Sequence, residues 1–269
     1  MAASGESSAV PPVVAEGELK KHRVEKKPPS SSKGEVMPEM PAEELAVKSL
    51  EAEHVHRVYS AIASHFSATR YKAWPEVEGF VKGCRPGEVL VDVGSGNGKN
   101  VIIAPKGVVG IACDYSGELL ALGRDRGAES VRCDGLRTAL KSGCADVVLS
   151  IAVIHHFATP ERRVAAVAEL GRLLRPGGRG IIYVWAREQA KDRGGTDVLI
   201  NWEVHAKFDT EQSVLQRYYH LFVKGELEDL VAQVPGLAVR RSYFDKENWA
   251  VVVERVVDAP ASGTSRQDV

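Results

Sequence analysis

Residues 89–100 read V-L-V-D-V-G-S-G-N-G-K-N, an apolar run followed by three glycines at alternate positions. The run before the glycines is short and rich in valine, which is typical of a strand buried on both faces of a sheet. Glycine permits positive φ and lets the backbone approach a ligand closely. Open α/β sheets build nucleotide sites where such a strand leads through a glycine turn into a helix. The segment therefore predicts a strand, a binding turn and a helix in that order.

The spacing of the glycines distinguishes two kinds of cofactor. A dinucleotide fingerprint reads G-x-G-x-x-G, and its third glycine would fall at Lys99 in this chain. The pattern D-x-G-x-G-x-G instead resembles motif I of the class I S-adenosylmethionine-dependent methyltransferases. That resemblance implies that Asp92 contacts the methionine end of the cofactor, directly or through water. It also implies close backbone approach through Gly94, Gly96 and Asn97.

The next predicted strand, within G-V-V-G-I-A-C-D-Y-S (107–116), ends in an acid, Asp114. Doubly wound folds place an acid there to accept hydrogen bonds from ribose hydroxyls. The alternative is that Asp114 caps the helix that begins near Ser116.

Two further strand ends continue the pattern. The strand 130–133 leads to Asp134 and Gly135, where the methyltransferases hold adenine, and the run D-V-V-L-S-I-A-V-I-H-H-F (146–157) matches their motif IV. The resemblance therefore extends cofactor contact to Asp134, Gly135 and Ile151.

Composition bounds the class of protein. The 269 residues carry a formal charge of −1 and are 44% hydrophobic, enough for one core with tails. No apolar run approaches a membrane span, and the N-terminus lacks the pattern of a secretory signal. The four cysteines show no C-x-x-C pairing, so we expect reduced thiols in the core and no metal site. Together these features predict a cytoplasmic or nuclear protein. The near-neutral charge argues against nucleic-acid binding by net charge alone.

The chain divides into three parts. Residues 1–42 are rich in Ser, Pro, Glu and Lys and predict a disordered tail, within which K-K-H-R-V-E-K-K (20–27) is a basic cluster. That cluster is either a solvated tail or an arm that touches RNA phosphates. Residues 43–256 form the predicted methyltransferase domain, and 257–269 a disordered C-terminal tail.

The domain opens with helical periodicity over 43–66, followed by H-F-S-A-T-R-Y-K-A-W-P (65–75). Its cations and aromatic residues can hold an anion and stack a base, or can anchor the N-terminal helix against the core. These residues are Arg70, Tyr71, Lys72 and Trp74. Pro75 suits the first turn of a helix that runs to about Lys82.

The remaining pattern alternates strands and helices. We predict strands near 89–93, 108–113, 130–133, 146–151 and 179–184, and a helix from Pro160 to Leu174 with Thr159 as its N-cap. Residues 186–212 are polar and predict an excursion over the active-site face. A helix over 226–234 and a terminal hairpin of strands near 237–243 and 249–255 follow. The predicted fold class is α/β, namely the Rossmann-like fold of the class I methyltransferases. Its doubly wound sheet has seven strands, which are mostly parallel, and the last strand is antiparallel.

Four blocks outside the cofactor motifs are more specific. They are V-H-x-V-Y-x-x-I-A-x-H-F-S-x-T-R-Y-K-x-W-P (55–75), S-I-A-V-I-H-H-F (150–157), R-Y-Y-H-L-F-x-x-G-E-L (217–227) and F-D-x-x-N-W (244–249). Together they resemble the eukaryotic tRNA wobble-uridine (5-carboxymethyluridine) methyltransferase family over residues 43–256. The chain departs from the family in a short excursion after W-A-R-E-Q and in Ala250, where a second tryptophan often stands. We expect the stand-alone form, without an AlkB-type oxygenase segment.

The resemblance implies a reaction and two partners. The reaction is methyl transfer from S-adenosylmethionine to the carboxylate of 5-carboxymethyluridine in the tRNA anticodon loop, so the first partner is tRNA. The second partner is a small zinc-binding methyltransferase activator protein, which forms a heterodimer by adding to the sheet edge near the third strand.

The chemistry needs no general base, because a carboxylate with a pKa of about 4 is already ionised at neutral pH. We therefore expect one of His155 and His156 to orient the carboxylate and the other to pack; both could instead be structural. Arg70 is the candidate for holding the carboxylate, since guanidinium matches it bidentately.

Further residues could hold the uridine and its phosphates. They are Tyr71, Lys72, Trp74, Arg217, Tyr218, His220 and Asn248. The R-Y-Y-H segment is equally consistent with a helix that packs a tyrosine inward.

Two other functions stay open at this point. The fold also supports carboxyl or small-molecule methyltransferases, since fold does not fix substrate, and binding of anticodon RNA would separate the two. A non-catalytic member acting through protein contacts is disfavoured by the intact glycines and Asp114.

Overall fold

The computed structural model describes residues 35–37, 40, 43–189, 193–205, 207–208 and 214–256. The basic cluster 20–27 and the predicted C-terminal tail 257–269 lie outside the described residues. Within the described ranges, no helix combines the length and the apolar character that crossing a bilayer requires.

The strands fall into a large and a small sheet. Their bounds are β1 Glu35–Val36, β2 Val89–Val93, β3 Val109–Asp114, β4 Ser130–Arg132, β5 Ala145–Ile151, β6 Leu174–Trp185, β7 Asp197–Glu203, β8 Val214–His220, β9 Leu237–Asp245 and β10 Asn248–Arg255.

The helices lie before and between these strands. Their bounds are α1 Glu44–Glu51, α2 Arg57–Ala61, α3 Ala63–Thr69, α4 Pro75–Lys82, α5 Lys99–Ile102, α6 Gly117–Arg124, α7 Pro160–Leu173 and α8 Glu226–Ala232. A π-helical turn at Ala52–His56 joins α1 to α2, and a 3₁₀ turn at Ile154–His156 follows β5.

The large sheet has seven strands in the order β4-β3-β2-β5-β6-β10-β9. The pairs from β4 to β6 are parallel, and β10 runs antiparallel to both β6 and β9. The predicted fold class is therefore confirmed, including the antiparallel last strand. The chain reverses direction across the sheet between β2 and β5, which is where doubly wound folds bind ligands.

Alternating side chains of the central strands fill the cores on the two faces of this sheet. In β5, Val148 packs into the core that includes α7 and α8, whereas Val147 and Leu149 pack into the core that includes α4. The alternation follows from the two-residue period of a strand. Because both faces are covered, the strand reads as a continuous apolar run.

The helix boundaries follow local chemistry that the sequence displays. The Thr159 side chain accepts a hydrogen bond from the backbone of Arg162 and Pro160 occupies the first turn of α7, as predicted. Pro75 likewise begins α4. Ser116 caps α6 by accepting a hydrogen bond from the backbone of Leu119.

The small sheet is antiparallel, in the order β1-β7-β8, and was missed from the sequence. The predicted excursion 186–212 contains β7, and R-Y-Y-H belongs to strand β8, not to a helix. In β7 the alternate residues Val198, Ile200 and Trp202 are buried, but polar neighbours conceal this period. The strand β8 packs against the 3₁₀ turn after β5, so the small sheet lies beside the ligand-binding edge of the large one.

Candidate active site

A cavity lies beyond the carboxyl ends of β2, β3, β4 and β5. Side chains from the N-terminal helices, such as Tyr59 and Phe66, and from β8 complete its wall. The structure brings most of the predicted site residues into this wall: Arg70, Trp74, Gly94, Gly96, Asn97, Asp114, Asp134, Gly135, Ile151, His155, His156 and Arg217.

Asp114 holds the glycine turn in place. One carboxylate oxygen accepts from the Gly96 backbone N–H at 2.7 Å, and the other accepts from the Ser116 N–H at 2.9 Å. Asp114 lines the cavity, so the predicted ribose contact and the alternative contact at the start of α6 are compatible. At Gly94, φ is +79°, and a Cβ would lie 2.2 Å from a methyl of Val153, so only glycine fits.

Several buried polar atoms around the cavity have no hydrogen-bond partner within the described chain. They are Ser95 Oγ, Asn97 Oδ1, Asn100 Oδ1, His155 Nε2 and Arg217 Nε. Buried polar atoms are nearly always paired in folded proteins. A cluster of unpaired ones in one wall indicates a site built for a polar ligand.

Asp92 lies one layer behind the cavity wall. It is fully buried, and one of its oxygens accepts from the Asn100 side-chain amide at 3.0 Å. Burial raises the pKa of Asp92 to about 6. Asp92 therefore orients Asn100, which lines the cavity itself.

Lys99 lines the same part of the cavity, and sequence reasoning missed it as a binding residue. Burial lowers the pKa of its ammonium group to about 8. A lysine directly after the third glycine was the available signal. Lys99 can supply the positive charge that a carboxylate ligand requires near the glycine turn.

His155 presents a hydrogen-bond donor to the cavity. Its Nδ1 accepts from the Trp185 backbone N–H at 3.0 Å, so in the neutral ring the proton resides on Nε2. Burial lowers the pKa of His155 well below 6.5. His155 is therefore a fixed neutral donor and has no free nitrogen to accept a proton.

His156 has the opposite tautomer and is fully engaged within the protein. Its Nδ1–H donates to the Tyr218 carbonyl at 2.7 Å, and its Nε2 accepts from the Tyr59 hydroxyl at 2.9 Å. Burial lowers the pKa of His156 to about 3. His155 thus presents a free N–H to the cavity, whereas both ring nitrogens of His156 are bonded within the protein.

Two guanidinium groups lie against the ring of Trp202. The Cζ atom of Arg217 is 4.5 Å from the ring centroid, and that of Arg70 is 5.5 Å from it. Arg217 is buried in the cavity wall, whereas Arg70 is half-buried and its Nη1 contacts the Thr69 carbonyl at 3.5 Å. This end of the cavity is cationic.

Alternation along β8 separates the predicted residues of R-Y-Y-H. Arg217 and Tyr219 line the cavity, and Tyr218 and His220 face the other way. The Tyr218 hydroxyl and His220 Nδ1 both contact Asp197, and His220 Nε2 contacts Glu226 at 2.6 Å. Tyr218 and His220 therefore lie outside the cavity, and the prediction that they contact the substrate is wrong. Their hydrogen bonds instead connect the small sheet to α8.

The hydrogen bonds of His220 to Asp197 and Glu226 predict a pH-dependent contribution to stability. Burial alone lowers the pKa of His220, but its hydrogen bonds to Asp197 and Glu226 outweigh burial and raise the pKa above 6.5. The His⁺ form therefore stabilises the fold below about pH 6.5, and the contribution disappears as pH rises through the folded-state pKa. We expect His220→Gln to lower the free energy of unfolding by about 1–3 kcal/mol at pH 6 and by less at pH 9. Urea unfolding at both pH values measures this, and an equal loss at both would contradict it.

The predicted loop residues divide between the cavity and its surroundings. Trp74 lines the cavity and also packs on Tyr183, with ring centroids 5.3 Å apart. Tyr71 is 47% exposed, and Lys72 lies with its ammonium 5.7 Å from the Tyr71 ring. Both are on the surface, outside the cavity wall.

Asn248 was predicted to contact substrate, and the structure places it in a turn instead. Its side-chain amide donates to the carbonyls of Asp245 and Lys246 at 3.0 and 2.8 Å. Lys246 and Glu247 both have positive φ, which non-glycine residues adopt at a cost. Asn248 therefore stabilises the strained hairpin turn between β9 and β10.

Comparison with known proteins gives consistent matches. A family model described as a methyltransferase domain matches residues 91–182. The tRNA (carboxymethyluridine(34)-5-O)-methyltransferase of Schizosaccharomyces pombe is 40% identical over 225 residues, which are 76% of this chain and 97% of that protein. The protein named tRNA (carboxymethyluridine(34)-5-O)-methyltransferase alkbh8 from Xenopus tropicalis is 37% identical over 79% of this chain and 42% of its own length. The chain thus spans less than half the length of such vertebrate relatives.

Two solved structures share the fold. The Burkholderia thailandensis 1,6-didemethyltoxoflavin-N1-methyltransferase, with bound S-adenosylhomocysteine, superposes with a TM-score of 0.61 at 20% identity over 86% of this chain and 97% of that one. A methyltransferase in complex with the Haloferax volcanii Trm112 methyltransferase activator gives a TM-score of 0.57 at 14% identity, over 76% and 99%. At such low sequence identity, the similarity of these two structures to this chain supports a shared fold and nothing further.

Proposed function

Because this chain belongs to the tRNA (carboxymethyluridine(34)-5-O)-methyltransferase family, we propose that it methylates the carboxylate of 5-carboxymethyluridine at the tRNA wobble position. The cofactor is S-adenosylmethionine and the product is the methyl ester. One observation supports this function above others: a single cavity joins the glycine turn to a cationic end that can receive a carboxylate.

The residues present fit the proposed cofactor. When bound, S-adenosylmethionine supplies an electrophilic methyl group on a sulfonium. Asp114 would take the ribose, and Asp134 and Gly135 would lie at the adenine. The unpaired Oδ1 of Asn100 and the Lys99 ammonium would face the amino and carboxylate groups of its methionine end.

The chain's own residues position the acceptor and leave its charge intact. A substrate carboxyl has a pKa of about 4, so it arrives ionised and needs no base. His155 agrees with this requirement, because it offers an N–H and has no free acceptor nitrogen. Correct placement of reacting atoms can supply about 7–11 kcal/mol of the barrier reduction.

The test of the proposed function is mass spectrometry of tRNA nucleosides from cells that lack this protein. We expect the wobble methyl ester to disappear and the carboxymethyl acid or its amide to accumulate. An unchanged ester level, in cells with no second enzyme of this family, would contradict the proposed substrate. The protein would then be a methyltransferase that acts on a different substrate.

The proposal includes a small zinc-binding activator protein that forms a heterodimer by pairing with β4. This strand is three residues long and is the edge of the large sheet next to β3. Backbone bonds from Ala112 to Glu129 and from Cys133 to Asp114 join the two strands. By alternation, the amides of Ser130 and Arg132 face the open edge, as an added strand requires.

This arrangement predicts the effect of a proline on the edge. Ser130→Pro removes an outward N–H and spares the bonds to β3, so we expect loss of co-purification with the activator and retention of the fold. The matched control Ser130→Ala keeps the amide and should co-purify normally. Size-exclusion chromatography of the co-expressed proteins measures both, and normal complex formation by the proline variant would contradict pairing at β4.

A further inference from the structure

Arg217 is a buried cation without an anion. Its side chain is only 6% exposed, its Nε has no hydrogen-bond partner, and none of the carboxylates in the described part of the chain forms an ion pair with it. Burying an unpaired charge is costly, and proteins normally pair or ligate such groups. The charge therefore indicates that an anion belongs in the cavity beside it.

Aromatic rings hold the guanidinium without neutralising it. Its Cζ lies 4.5 Å from the centroid of Trp202 and 5.2 Å from that of Tyr219. Contact with ring faces stabilises a cation and fixes its position, and the charge stays available for a ligand. Both rings come from the small sheet, so this geometry depends on the pairing of β7 with β8.

His155 lies against the same tyrosine. Its ring centroid is 5.0 Å from that of Tyr219, and its Nε2–H has no partner. The end of the cavity at Tyr219 therefore offers hydrogen-bond donors from Arg217 and His155. A carboxylate accepts at both oxygens, whereas a carboxamide would turn its NH₂ toward donors that cannot accept it.

We propose that Arg217 and His155 form the receptor for the substrate carboxylate and that this pair selects the carboxymethyl acid over the corresponding carboxamide. The inference rests on the proposed function and assigns the carboxylate to Arg217 in place of Arg70. Arg70 is half-buried, its Cζ is 5.5 Å from the centroid of the Trp202 ring, and it lines the same cavity as Lys99. Arg70 remains available for a second anion, such as a phosphate of the RNA.

The receptor also accounts for release of the product. Transfer joins one carboxylate oxygen to the methyl carbon as the carbon–sulfur bond breaks, and sulfur keeps the electron pair. The negative charge of the carboxylate and the positive charge of the sulfonium are both lost, and no proton is released. A neutral ester no longer balances the positive charge of Arg217, so the product binds more weakly than the acid.

Binding to three synthetic anticodon stem-loops tests this receptor. The RNAs differ only at the wobble uridine, which carries a carboxymethyl group, a carbamoylmethyl group or no substituent. Affinities are measured by fluorescence anisotropy with the full chain and S-adenosylhomocysteine, which cannot react. We expect the wild type to bind the acid at least 10-fold more tightly than the amide. Arg217→Gln should bind the two equally, and Arg70→Gln should weaken all three RNAs and keep the preference.

Two outcomes would overturn the inference: equal binding of acid and amide by the wild type, or an intact preference in Arg217→Gln. The first does not depend on any variant folding, and Arg217→Lys, which keeps the charge, provides a milder substitution. Failure of the proposed function is a separate result, namely no methyl transfer by the wild type to the acid RNA. A wild type that methylates the acid while Arg217→Gln keeps the preference refutes the receptor alone.

Discussion

Replacing His155 by asparagine lowers the rate of methyl transfer by about 100-fold and leaves binding of S-adenosylhomocysteine unchanged. The asparagine oxygen can still accept from the Trp185 N–H, so the fold keeps that bond, but the donor at Nε2 is lost. His155→Gln restores an N–H near the position of Nε2 and should recover most of the rate. Single-turnover kinetics of the three proteins measure the effect.

The same residue distinguishes positioning from base catalysis by pH. Because burial keeps the pKa of His155 well below 6.5, its protonation state does not change between pH 6 and 9. His155 should therefore contribute no pH dependence to the chemical step across that range, and the profiles of the wild type and His155→Asn should have the same shape. A rate that rises through pH 6.5 and loses this rise in His155→Asn would show that the imidazole accepts a proton.

Replacing Asp114 by alanine weakens S-adenosylhomocysteine binding by about 100-fold and also loosens the glycine turn. The carboxylate supports the backbone amides of Gly96 and Ser116 and faces the proposed ribose position, so several bonds are lost together. Unsatisfied buried donors cost about 1–3 kcal/mol each, which should also appear in the free energy of unfolding. Calorimetric titration measures the affinity.

Matched variants separate these effects. Asp114→Asn keeps one acceptor oxygen and should lose less affinity than Asp114→Ala. Asp125→Ala removes an exposed acid at the end of α6 and should change neither property. Wild-type affinity in Asp114→Ala would mean that Asp114 serves only the start of α6.

The sequence was most informative where local chemistry determines structure. Buried parallel strands read as apolar runs, and their ends carry the polar residues, so the cofactor half of the cavity could be predicted from Asp114 and the glycine turn. Helix caps such as Thr159 depend on bonds within one turn and were also correct. No tertiary information was needed for either.

Tertiary pairing determined what the sequence concealed. Whether Arg217 or Tyr218 faces the cavity depends on the register of β8 with β7, and the polar composition of that region hides the strand. Trp202, which holds Arg217, was missed for the same reason. The tautomer of His155 follows from a bond to Trp185, a residue on a different strand. Asn248 was predicted in the site because its role in the hairpin turn depends on backbone conformation that spacing does not reveal.

The most direct test of the proposed reaction is methyl transfer in vitro to an anticodon stem-loop that carries 5-carboxymethyluridine. The purified chain, together with the proposed activator, is supplied with S-adenosylmethionine labelled in the methyl group, and the RNA product is then treated with mild alkali. Transfer to the carboxylate predicts label in the RNA that alkali releases as methanol, since mild alkali frees methanol from a methyl ester and not from a methyl group on a base atom or a ribose oxygen. Label that stays on the RNA after alkali, or no label at all, would contradict the account.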